Sequence, residues 1–171
     1  MNASPAADGV PALMALDATV ELLGADGVEP VRLDEFYLGY KQMRRRTDQL
    51  LTRIRMPRRS YSFQSFVKVG TRMAQAITKV GVAIARSDAG WRVVANSMAP
   101  TVRRCRTIER MLGDETAVTS PDGFLDAIRA DVCPINDIRS TALYRERVMS
   151  RVLFHELAPV CGWIGDRDRA G

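Results

Sequence analysis

Histidine occurs once, at His155, and cysteine three times, at Cys105, Cys133 and Cys161. The cysteines are too far apart for a CxxC-type knuckle and their number is odd. That donor set argues against a zinc or iron–sulfur site built from this chain. A nucleophilic pair of Cys161 and His155 can be drawn, but no third group orients it, so the two read as packed or half-exposed residues of a terminal helix. No apolar run approaches the ~20 residues that cross a bilayer. The N-terminus lacks the basic segment followed by an apolar core that marks a signal peptide, so a cytoplasmic location is the default expectation. The arginine clusters Arg44–Arg46 and Arg103, Arg104, Arg106 are not interleaved with aromatics, which sets nucleic-acid binding aside.

What is present is ordinary globular composition: 171 residues, 46% hydrophobic and 26% charged. The length suits one medium domain, or one small domain and part of another. A formal net charge of +5, mostly arginine, favours approach of acidic surfaces or nucleotides without defining either.

Along the chain, Ser4-Pro5 disfavours helix, Asp8 is placed to cap, and Val10–Leu16 reads as a short apolar helix. Ala18–Leu23 and Val28–Leu33 alternate around Gly24-Ala-Asp-Gly27, a β-hairpin. Leu33–Tyr40 carries Phe36, Tyr37 and Tyr40 at helical spacing; both tyrosines read as core or rim aromatics. Lys41–Arg46 reads as a solvated basic loop. Leu50–Met56 alternates, with Leu51, Arg53 and Arg55 on one side, and Pro57 ends it. Arg58-Arg59-Ser60 is a boundary. Tyr61–Val69, Ala76–Ala85 and Trp91–Asn96 then form an antiparallel meander. Asn96 tolerates the left-handed conformation and suits the turn before Ala99-Pro-Thr101. Thr101 is placed to cap a helix over Val102–Leu112, stopped by Gly113. Further helices are expected over Gly123–Asp131 and over Thr141–Leu157. The latter is opened by Asp137 or Ser140, with Leu143, Val148, Val152, Leu153 and Leu157 on its apolar stripe.

The stretch Val67–Val80 carries Lys68, Arg72 and Lys79 along an otherwise small or apolar path, with Arg86 beyond. Gly70 permits a turn or a close backbone approach. Taken alone, the stretch reads as strand–turn–strand with solvated cations. The sharper reading is a cationic rim for an anionic ligand, or for a flavin ring that gains negative charge on reduction.

Several segments in order carry a resemblance. They are Ala3-Ser-Pro-Ala-Ala-Asp8 with Pro11-Ala-Leu-Met-Ala-Leu-Asp17; Phe36-Tyr37; Asp48–Pro57; Lys68-Val-Gly-Thr-Arg72 with Ala74-Gln-Ala-Ile77; Ala99-Pro-Thr101; and Pro134-Ile-Asn-Asp-Ile-Arg139-Ser-Thr-Ala-Leu-Tyr144-Arg145. Across roughly residues 2–155 the chain resembles the C-terminal part of the FAD subunits of the molybdenum hydroxylases, the xanthine dehydrogenase and carbon monoxide dehydrogenase family. The resemblance implies an α+β fold: a three-stranded antiparallel sheet with a helical bundle, preceded by the end of an α+β FAD-binding subdomain. It divides the chain into residues 1–57, the end of that subdomain; 58–160, the C-terminal α+β domain; and 161–171, a flexible tail. The family's two glycine-rich pyrophosphate loops are expected before Met1. Asn96-Ser97-Met98 departs from the glycine more usual there.

By the same resemblance the cofactor is FAD, and its contacts are Asp8, Leu51 and Lys68, with Arg72 and Gln75 on the Lys68 loop. No acid–base or nucleophilic residue is implied. Partner subunits, one large with molybdopterin and one small with 2Fe-2S clusters, are implied to supply electrons that FAD passes to NAD or another acceptor. The alternative is a docking module of such a complex that does not bind FAD by itself.

Overall fold

The structure is a computed structural model and describes residues 4–72 and 76–165. The chain begins with a short helix, α1 (Gly9–Ala15), followed by a hairpin of β1 (Thr19–Gly24) and β2 (Gly27–Arg32). Gly27 turns the hairpin at φ 105°, a conformation that other residues resist. The helix expected over Leu33–Tyr40 stops early. Only Leu33–Phe36 is helical (α2), after which Tyr37–Gly39 (β3) pairs with Gln42–Met43 (β4). Phe36 is fully buried, whereas Tyr40 is exposed, so the aromatic spacing did not mark one helical face.

The basic run is a more ordered feature than a solvated loop. Arg44 lies within 3.6 Å of Glu29, Arg45 donates to the Gln49 carbonyl at 2.6 Å, and Arg46 pairs with Asp26 and Asp48. β5 (Leu50–Arg55) then pairs antiparallel with β1, giving the order β2-β1-β5. Its simple alternation is broken: Glu21 faces Arg53 and Leu22 faces Leu51, so Thr52 is an extra residue. Such a bulge flips the strand by one face. Leu51 therefore packs inward with Leu22 instead of sharing a side with Arg53.

The second sheet has the expected meander, β6 (Tyr61–Val69), β7 (Val80–Ser87) and β8 (Gly90–Asn96). β7 starts at Val80, later than expected. A two-residue strand, β9 (Arg103–Arg104), adds a fourth member in the order β6-β7-β8-β9. It occupies what read as the first turn of a helix from Val102. Helix α3 is therefore shorter, Arg106–Gly113, and Thr101 does not cap it. The Asp131 carboxylate caps it instead, accepting from the Thr107 and Ile108 amides. A 3-10 turn, Pro121–Phe124, leads into α4 (Leu125–Asp131), and α5 (Ala142–Leu157) closes the bundle. The α5 N-cap is Thr141, whose hydroxyl accepts from the Tyr144 amide.

The two faces of β7 divide the molecule. Val80, Val82 and Ile84 face the helices with Trp91, Val93 and Ala95 of β8 and with Ile108, Ile128, Met149, Leu153 and Leu157. Ala83 and Ala85 face the other way, into a second core with Met14, Ala15, Val20, Leu22, Val31, Leu33 and Phe36. Small side chains on that face let α1 lie close on the sheet. Arg92 on β8 grips Asp17 just beyond α1 at 3.0 Å, and Asn96 donates to the Ala7 carbonyl at its start, at 3.3 Å. Residues on either side of Arg58-Arg59-Ser60 thus share one core. Of the segment expected as a tail, the described residues 161–165 dock: the Val118 amide donates to the Trp163 carbonyl and the Gly165 amide to the Val118 carbonyl, while Cys161 and Ile164 are buried. Burial pushes the Cys161 thiol up, while His155 stands exposed against the Phe154 ring.

Candidate functional site

The floor of the site is one register row of the second sheet. Lys68 on β6 faces Gly81 on β7, and Gly81 faces Asn96 on β8. All three point to the α1 side. Gly81 is required there: a Cβ would fall 1.8 Å from the Asn96 Oδ1 atom. Asn96 is wholly buried and belongs to the strand. The left-handed residue of the following turn is Ser97, at φ 62°, which corrects the expectation for Asn96. Asn96 Oδ1 has no hydrogen-bond partner among the described residues.

Above this row sits Asp8, at the start of α1. Its side chain makes no cap bond to the helix. One oxygen accepts from Lys68 Nζ at 2.6 Å and the other from the Thr78 hydroxyl. Burial works against ionisation, but the bonds from Lys68 and Thr78 and the charge of Lys68 outweigh it, so the carboxyl is held below its ordinary 3.8. Thr78 is buried in the segment before β7, and its carbonyl accepts from the Ser97 hydroxyl at 2.9 Å. Gly70 provides a close approach, not a left-handed turn: a Cβ there would meet the Ala76 Cβ at 3.0 Å.

Asp8 and Thr78 open onto a cleft of about 1040 Å³. Its walls combine apolar groups (Pro5, Tyr40, Ile77, Pro100, Ile135) with polar ones (Lys41, Asp137, Arg139, Arg145). Ile77 and Tyr40 are each 59% exposed, large apolar surface left uncovered at the cleft. Apolar walls with a few fixed polar groups are what small-molecule and cofactor sites present.

Of the residues singled out from the sequence, the fold brings Asp8 and Lys68 into direct contact. Leu51 lies elsewhere, half-buried against the second core, and does not line the cleft. Arg72 is exposed in the bend that follows β6. Gln75 lies outside the described residues. Sequence reasoning missed Thr78 and Arg145. Thr78 has only its position before an apolar strand to recommend it. Arg145 stands in the quoted Tyr144-Arg145 segment but was not assigned to the site.

Residues 1–59 match the family described as the FAD binding domain in molybdopterin dehydrogenase. The chain is thereby similar to the FAD subunits of the molybdenum hydroxylases, as its sequence segments imply. Among particular proteins, it is 26% identical over 162 residues to the nicotinate dehydrogenase FAD-subunit of Eubacterium barkeri, covering 88% of this chain and 55% of that one. Reconstituted CO dehydrogenase from Oligotropha carboxidovorans superposes with a TM-score of 0.79 at 18% identity, over 95% of this chain and 59% of that chain. Quinoline 2-oxidoreductase from Pseudomonas putida 86 gives 0.73 at 17% identity, over 94% of this chain and 59% of its own. These likenesses establish the α+β fold. The chain spans a little over half the length of each relative.

Proposed function

We propose that this chain serves as flavin subunit of a molybdenum-containing hydroxylase or dehydrogenase, holding FAD that carries electrons from iron–sulfur clusters on a partner subunit to NAD or another acceptor. The observation that carries this reading is the Asp8–Thr78 pair on the wall of a largely apolar cleft, with Lys68 bonded to Asp8, in a chain whose first 59 residues match an FAD-binding family.

The residues present fit a flavin. Its flat ring needs apolar faces, which Ile77, Tyr40 and Ile135 offer, and polar partners at its edge, which Asp8 and Thr78 offer, with Lys68 behind Asp8. When bound, FAD supplies the redox chemistry. The chain's part is binding and electrostatics. Asp8, on the cleft wall, holds Lys68 beside it, and a fixed cation close to the cleft favours the more negative, reduced state of a bound ring. An ammonium has three N–H donors, of which the Asp8 bond uses one. Leu51, Arg72 and Gln75 are proposed as outer contacts of the same cofactor, and the molybdopterin and 2Fe-2S subunits as partners.

The test is the visible spectrum of the chain after incubation with FAD and gel filtration. Flavin bands should travel with the protein and be lost or much weakened in Lys68→Ala and Asp8→Ala. A folded, colourless wild-type chain would sink this reading in favour of a second one, a docking module without its own cofactor. That second reading is favoured by the exposed row Val28–Leu23–Leu50 across β2, β1 and β5, an apolar surface suited to a partner.

A further inference from the structure

Helix α5 buries Arg145, Met149, Leu153 and Leu157 along one side. Three of these belong to the apolar stripe that any helix packed on a sheet requires. Arg145 does not, yet it is only 2% exposed. A guanidinium in that position loses its hydration, a cost that an apolar side chain would avoid. Its hydrogen bonds offset the cost in a particular way. Nη1 donates to the Lys79 carbonyl and to the Ser97 carbonyl, each at 2.8 Å, and Nη2 donates to Asp137 Oδ1, also at 2.8 Å. Three separate segments therefore meet on one side chain: the stretch before β7, the left-handed turn after β8, and the loop before α5.

Each of those segments contributes to the cleft, through Thr78, through Ser97 and through Asp137. The first two are also tied to each other and to the N-terminal segment. Ser97 donates its hydroxyl to the Thr78 carbonyl at 2.9 Å and its amide to the Pro5 carbonyl at 2.7 Å. Thr78 in turn holds Asp8, which holds Lys68.

We propose that Arg145 is a positioning residue for the cleft: its guanidinium fork sets the 76–79 and 97–100 segments relative to each other, and through Thr78 it fixes Asp8 on the cleft wall, with Lys68 bonded behind it. The identity of that ligand rests on the flavin reading above; the clamp itself does not. Lysine cannot replace it, because a single ammonium on a flexible stem lacks the planar fork that spans two carbonyls and a carboxylate at once.

The experiment compares the 171-residue wild type with Arg145→Lys and Arg145→Met, and has two readouts. Without FAD, hydrogen exchange is followed at the Lys79 and Ser97 amides, which are bonded to Val69 and Pro5, and across the β7–β8 ladder. Both variants should keep the ladder protected while exchange at Lys79 and Ser97 rises at least tenfold. With FAD, Arg145→Lys should weaken the Kd at least tenfold and change the visible circular dichroism of the bound flavin. Thr78→Val should weaken it similarly, and the double variant should be no worse than the single ones, since both act through one path. If either variant unfolds, or loses protection evenly through β7 and β8, Arg145 is a core-stability residue and the proposal is overturned. It is overturned too if the two amides exchange as in wild type, or if they loosen while the FAD Kd stays the same. A wild type that binds no FAD sinks the flavin reading alone, and the exchange data still decide the clamp.

Discussion

At the scale of single residues, Asp8 is the hinge of the site. Its two oxygens join a strand cation, Lys68, to a buried hydroxyl, Thr78, so the carboxylate links the start of α1 to β6 and to the segment before β7. Because its folded value lies below the ordinary 3.8, ionised Asp8 adds stability that is fully present above that value. The contribution fades as pH falls through the folded value, below 3.8. Thermal unfolding of wild type and Asp8→Asn should therefore differ by a constant gap above about pH 5, and the gap should narrow on further acidification. A gap independent of pH would mean that Asp8 acts only through its shape. Gly81 and Asn96 make the complementary point about space. The glycine is there because the Asn96 side chain, holding the Ala7 carbonyl, occupies the volume a Cβ would take.

Among the elements, α3 depends most on a distant residue. Its own sequence offers no side-chain cap, and the strand β9 has taken the residues that Thr101 would have capped. Asp131, at the end of α4, accepts from two of its first free amides and brings negative charge to the positive end of the helix. Asp131→Ala should lower stability by about 1–2 kcal/mol, measured by denaturant unfolding. Thr101→Ala should show no loss of helix content by circular dichroism. Equal effects from the two would contradict this assignment. The glutamate of α3 plays a parallel part: Glu109 accepts from the Val93 amide and from Arg104, tying the helix to β8 and β9.

For the whole molecule, the decisive feature is that β7 and β8 present opposite faces to two cores. The helical bundle lies on one, and α1 with the β2-β1-β5 sheet on the other. Asp34 strengthens the join, lying 2.9 Å from Arg32 beside it, 3.6 Å from Arg104 on β9 and 3.3 Å from Arg106 on α3. Neither core can lose its sheet without exposing the other. Unfolding should thus be a single transition, with tryptophan fluorescence, which reports on Trp91 in the bundle core and Trp163 packed against it, coinciding with far-ultraviolet circular dichroism, which reports on both halves. Two separated transitions would show that residues before Arg58 fold as an independent unit.

The sequence by itself determined most of the elements. Val10–Leu16, the hairpin around Gly24–Gly27, the three-strand meander and the last helix all declared themselves through periodicity and turn residues, because those signals are local. Segments that resemble a flavin-subunit family also singled out Asp8 and Lys68, each by itself, along with Leu51, Arg72 and Gln75; that the two touch came from the tertiary structure. Only the tertiary structure decided the rest. Thr52 as a bulge, β9 in place of a helical turn, and Tyr37 leaving its helix all follow from strand pairing, with β1 some thirty residues away for Thr52 and with nearer strands for the other two. The stripe of α5 departs from the period at its N-terminal end for a related reason. Leu143 fits the period but is half exposed, while Arg145, which no hydrophobic pattern would select, is buried because carbonyls from two remote segments converge on it. Local patterns record which face a residue prefers. Which distant backbone groups need a donor is settled only when the chain has closed around them.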